Sequence, residues 1–275
     1  MRTRTLLAAV AVGLPALAGC SGSLQTLARA GGAAALASMP IGPEKEAEIG
    51  FGIAATVAGR YSLVDDPALT RYVNLVGGAV AQQSVRGGEV AFRFGVLDTE
   101  EVNAFAAPGG FILVTRGALS LMRSEAELAA VLAHEVAHVD QKHVLDEIRR
   151  ADVLRSVQDE TELTGEVLDR IAEVGGGVLF TGLSREDEME SDSLGVLYAS
   201  AMGYRPDGLL DFLRRLRGAE RGEQAERMRE LMATHPSTTD RIGALERQMR
   251  ARGIDATQGR AVAERFARNV RGSTR

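Results

Sequence analysis

The sequence predicts an α+β fold, mainly helical, with a small and largely antiparallel β-sheet ahead of a long run of helices. Three observations predict it. Short β-prone runs cluster at Ala91–Leu97, Val102–Ala106 and Phe111–Thr115. Beyond residue 124 the apolar spacing is almost wholly helical, and a capped helix stands between the two regimes. A run of strands followed by a run of helices favours α+β over a parallel α/β arrangement.

Taken in order, Met1–Gly19 carries Arg2 and Arg4 ahead of an apolar run, Leu6–Ala18, too short for a permanent span and shaped like a secretory signal. Leu17-Ala18-Gly19-Cys20 resembles a bacterial lipobox, which implies that Cys20 is the lipidated first residue of the mature protein and its anchor in a membrane. By the same resemblance, Ser21 stands where aspartate would signal inner-membrane retention, so the expected location is the periplasm, anchored to the outer membrane rather than the inner. Position argues against the competing reading of Cys20 as a small buried hydrophobe. It is the single cysteine, so no disulfide can form within the chain. Deleting residues 1–19 removes two arginines and no acidic residue, moving the formal charge from -5 to -7, which argues against nucleic acid as a partner.

Residues 20–43, rich in alanine and paired glycines, read as the lipidated cysteine and a tether. Residues 44–250 are long enough for one domain with a sizeable core. Within them, Glu44–Ala58 and Pro67–Ser84 have amphipathic helical spacing, divided by Asp65-Asp66-Pro67, and Pro108-Gly109-Gly110 marks a turn between β-prone runs. Later breaks are expected near Gly165, at Gly175-Gly176-Gly177, at Gly203-Tyr204-Arg205-Pro206 and at His235-Pro236. Residues 251–275 are an arginine-rich tail, expected to be solvated, with a further frayed helix or contact with an anionic membrane surface as alternatives.

The chemistry is concentrated in His134-Glu135-Val136-Ala137-His138. Residues four apart on an α-helix lie about 40° apart around its axis, so both imidazoles can reach one metal ion. Glu135 points about 100° away, close enough to touch a metal-bound water but badly placed as a ligand. Ser124-Glu125-Ala126-Glu127 has the form of a capping box, and Leu128, Val131 and Leu132 continue with helical spacing, so the pentapeptide belongs to a half-buried helix.

A catalytic zinc usually keeps three protein ligands and an open position. His143 fails as the third, because on a continued helix it lies about 180° around from His134; a surface or supporting role suits it better. In the acidic run from Glu186 to Asp192, Glu188, Asp192 and Gly195 share one face, while Glu186 and Glu190 fall about 160° away. That spacing assigns Glu188 to zinc, and Asp192 to the N–H of a metal-bound histidine.

Together these residues carry a family resemblance. The pentapeptide, followed by Ser184-Arg185-Glu186-Asp187-Glu188-Met189-Glu190-Ser191-Asp192-Ser193-Leu194-Gly195, resembles the metallopeptidase family of HtpX, Oma and the CAAX prenyl proteases, with Ser191 in place of the usual alanine. The resemblance extends to Val102–Gly110, Gly203–Pro206 and Thr234–Ser237. It implies a zincin-like metalloendopeptidase holding one Zn2+ per chain through His134, His138 and Glu188, with Glu135 as general base. It also implies that the segment Asn103, Ala104, Phe105, Ala106 and Ala107 is an edge strand for extended substrate; an ordinary core strand is the alternative. His235 is left as an oxyanion donor, as the occupant of the open zinc position in a latent state, or as a helix cap. Expected substrates are misfolded or misassembled envelope proteins, with a latent protease acting as a chaperone-like binding lipoprotein as the rival function.

Overall fold

In the computed structural model the described residues are 41–150, 165–220, 225–235 and 238–270. The signal, Cys20 and nearly all of the tether lie outside them. No helix among the described residues is long and apolar enough to cross a membrane.

Helix α1 (Pro43–Tyr61) starts on a proline at its first turn, and α2 (Pro67–Ala81) starts on Asp66, whose carboxylate accepts the N–H groups of Ala68 and Leu69. Three strands follow: β1 (Arg93–Leu97), β2 (Ala104–Ala107) and β3 (Phe111–Thr115). The sheet is mixed rather than largely antiparallel. Its order is β1-β3-β2, with β2 antiparallel to β3 and β1 parallel to it. The tight Pro108–Gly110 turn pairs β2 with β3, and β3 inserts between β1 and β2, so a parallel ladder arises without the long crossover that sequential parallel strands need. Gly109 makes this turn possible, with φ 70° and a Cα pressed so close to α1 that a Cβ would lie 2.5 Å from Ala47 Cα.

After the short α3 (Arg116–Leu121) comes α4 (Glu125–Asp140), every residue of which is buried. Ser124 Oγ accepts the Glu127 N–H at 3.3 Å, while the Glu127 carboxylate reaches back to the N–H of Arg123 at 3.2 Å, one residue before the expected partner. Lys142, at φ 60°, ends this helix, and α5 (His143–Arg150) begins in a new direction. Next come α6 (Gly165–Thr181), α7 (Arg185–Ala201), α8 (Gly208–Ala219), α9 (Arg229–Thr234), α10 (Thr238–Ala251) and α11 (Ala263–Val270).

Two further expectations are corrected. The triple glycine does not break a helix: α6 runs through it, and the close approach to α1 is at Gly175, where a Cβ would fall 2.3 Å from Ile53, while Gly177 has open space around its Cα. The arginine-rich segment is not a solvated tail as far as Val270. Phe266 and Val270 are buried, the Ala126 N–H donates to Ala261, and the Arg265 guanidinium grips the buried Glu125 carboxylate, which also accepts the hydroxyls of Tyr72 and Tyr204. A buried carboxylate must be paired, and this arginine is its counter-charge.

Candidate metal centre

The site forms where α4 crosses α7. Gly195 sits at the crossing, and a Cβ there would lie 3.0 Å from the His134 nitrogen, so only glycine lets the two helices meet this closely. Helix α7 is started by a complete capping box of Ser184 and Asp187, which places Glu188 and then Asp192 one turn apart against α4.

His134 Nε2 and His138 Nε2 are 3.0 Å apart. Glu188 lies over them, Oε2 3.6 Å from His134 Nε2 and Oε1 3.4 Å from His138 Nε2. Ligand atoms around a tetrahedral zinc are about 3.3 Å from one another when each bond is about 2.0–2.1 Å. The separations therefore fit a zinc ion, and a set of two imidazoles and one carboxylate is chemistry that zinc accepts. His235, at the end of α9, joins the group: its Nδ1 is 2.8 Å from Glu188 Oε1, and the four buried ligand atoms lie within 4.8 Å of one another.

Polar support surrounds this group. His134 Nδ1 is 3.0 Å from Asp192 Oδ1, the partner expected for Asp192. His143, expected at the surface or in support, is buried, with Nδ1 2.9 Å from His138 Nδ1. The angular argument against it assumed a continuous helix, whereas the chain has already turned at Lys142. Sequence reasoning missed Arg241 on α10. Its guanidinium holds both oxygens of Asp192, at 2.9 and 2.6 Å, and lies 2.9 Å from Glu188 Oε2. A signal existed: Arg241 lies on the same face of α10 as the buried Thr238, Leu245 and Met249.

Burial lowers the proton affinity of His134 and His138, keeping both imidazoles neutral and ready to bind a metal. Burial pushes the Glu188 carboxyl up, but His235 and Arg241 outweigh it and hold the group well below the usual carboxylate range. For Asp192 the same contest, won by Arg241, leaves a value of about 2. Burial would lower His235, but its contact with Glu188 raises it instead. Glu135, equally buried, is pushed up by desolvation.

Glu135 and His235 line two small apolar cavities, one walled by Val131, Phe212 and Leu213, the other by Phe105, Val178 and Leu179. Strand β2, the outer strand beside β3, borders both cavities through Ala104. Asn103 Oδ1 accepts the Ala104 N–H, and Asn103 Nδ2 is buried with no hydrogen-bond partner among the described residues.

Several known proteins are similar to this chain. The chain is 27% identical over 257 residues to the beta-barrel assembly-enhancing protease of Escherichia coli (strain K12), covering 86% of this chain and 50% of that protein. It is 33% identical over 148 residues to the mitochondrial metalloendopeptidase OMA1 of Schizosaccharomyces pombe (strain 972 / ATCC 24843), covering 52% and 42%. Against the metalloprotease LoiP of Escherichia coli (strain K12) it is 26% identical over 191 residues, covering 68% and 71%. The chain thus spans half the length of the first of these relatives. The model of peptidase family M48 matches residues 67–249, which contain every residue of the buried group, and the chain belongs to that family.

Proposed function

We propose that this protein is a zinc-dependent endopeptidase of the bacterial cell envelope that degrades or processes misfolded envelope or outer-membrane proteins. The observation that carries the reading is the convergence of His134, His138 and Glu188 in a buried group beside Glu135. Zinc, when bound, polarises a peptide carbonyl and lowers the pKa of its water to about 7. Glu135 takes the proton of the attacking water and passes it to the leaving amine, a role suited to a carboxyl whose proton affinity burial has raised. In an antiparallel pair, main-chain groups of alternate residues point away from the partner. Thr115 N–H donates to Asn103 C=O on the β3 side, so the Ala104 C=O and both main-chain groups of Ala106 point away from β3, where an extended substrate can add as a further strand, while the Ala104 N–H is held by Asn103 Oδ1. The small cavities that Glu135 lines are walled mostly by apolar side chains, which favours apolar residues near the cleaved bond.

Names of relatives, a beta-barrel assembly-enhancing protease among them, support envelope substrates; the lipobox supports anchoring through Cys20, and Ser21 the outer membrane. A second reading, a latent protease acting as a chaperone-like binding lipoprotein, is favoured by one observation: His235 stands within the ligand group rather than beside it, where it would fill the open zinc position. The alternative role for His235, donation to the developing oxyanion, requires it to leave Glu188.

Glu135→Gln separates the readings. Zinc content should stay stoichiometric while casein digestion falls by about 10²–10⁴. Full digestion by this variant would remove Glu135 as base. If the wild-type chain binds clients and never cleaves them, the latent reading replaces the enzymatic one. Asn103→Ala is expected to weaken peptide cleavage, and unchanged cleavage would count against the edge-strand role.

A further inference from the structure

We propose that His143 is the positioning residue that fixes the tautomer of His138, so that Nε2 of His138 is presented bare to the metal. This rests on the zinc reading above. The two histidine ligands are held from behind in chemically different ways. His134 has a carboxylate at its Nδ1, Asp192 at 3.0 Å. His138 has another imidazole, His143 Nδ1 at 2.9 Å, and both rings are buried.

A neutral imidazole carries its proton on one nitrogen and accepts at the other. When His138 Nε2 faces the metal, its proton must sit on Nδ1, and the 2.9 Å contact then requires His143 Nδ1 to accept it. The His143 proton is consequently on Nε2. That nitrogen has acceptors in place, Glu190 Oε2 at 3.3 Å and Asp187 Oδ1 at 3.5 Å. The chain of donation runs from His138 through His143 to the acidic face of α7, and it is self-consistent only in this tautomer. Ser191, whose Oγ is 3.3 Å from His143 Nδ1, is the rival donor for the same lone pair, and stands where the family resemblance leads one to expect alanine.

Two measurements test this on the full chain. Nitrogen-15 NMR of the zinc-loaded wild type should show Nδ1 of His143 unprotonated and Nε2 protonated; a protonated Nδ1 would overturn the inference. Zinc affinity, read by competition with a chromophoric chelator, should be nearly retained in His143→Asn, whose amide oxygen can occupy the Nδ1 position. It should fall about 10–100-fold in His143→Gln, whose amide reaches the Nε2 position instead. The Co(II)-substituted absorption spectrum should follow the same split. Equal affinities for Asn and Gln variants would also overturn the inference, since a packing role does not distinguish them. A wild-type chain that takes up no zinc overturns the metal reading itself, and this inference with it.

Discussion

Helix α4 carries a buried charged cluster at each end, and the two are built on opposite principles. At the start, Glu125 is met by one arginine and two tyrosine hydroxyls, all of them donors. Every proton points at the carboxylate, and nothing is left over. Ten residues on, about 15 Å along the axis, the ring nitrogens of His134, His138 and His235 crowd Glu188, and Glu135 stands buried nearby. Too many lone pairs converge there for the available protons, which is what a cation relieves. The first cluster is a staple that docks α11; the second is a site.

Breaking each end should therefore give different phenotypes. Arg241→Leu removes the partner of two buried carboxylates and should cost the metal-free protein about 3–5 kcal/mol by urea melts, less once zinc is bound. Equal losses with and without zinc would mean that the metal does not share the load of Glu188. Glu125→Gln keeps the shape but weakens the grip of Arg265, which is half exposed, and should cost about 2–3 kcal/mol while leaving zinc affinity unchanged. Lost zinc binding in that variant would show the two ends of α4 to be coupled.

Acid titration gives the smallest effect. The pKa of Asp192 is lowered from 3.8 to about 2 on folding, so its ionised form favours the folded state. That contribution is present above pH 3.8 and fades as pH falls toward 2, an amount of about 2 kcal/mol. Urea melts across that window should show the decline, and Asp192→Asn should remove this part of it; an identical decline in the variant would assign the acid sensitivity to other groups.

Local periodicity made much of this legible. The Ser124 cap, the histidine pair on α4, and the shared face of Glu188, Asp192 and Gly195 on α7 all follow from the pitch of a helix. Spacing had less to say where the cause was distant. Gly175–Gly177 look like a breaker until α1 is laid against Gly175, and His143 looks half a turn away from His134 until the chain turns at Lys142. Arg241 and Arg265 look like solvated charges until the carboxylates they neutralise come into view, 49 and 140 residues away.

The sequence by itself determined the donors and their order along each helix, because residue type and helical pitch are properties of neighbours. Only the tertiary structure decided that β3 enters between β1 and β2, that His235 joins Glu188, and which arginine serves which carboxylate. Those pairings follow from burial, which makes an unpartnered charge costly and so selects, among many distant residues, the ones able to neutralise it.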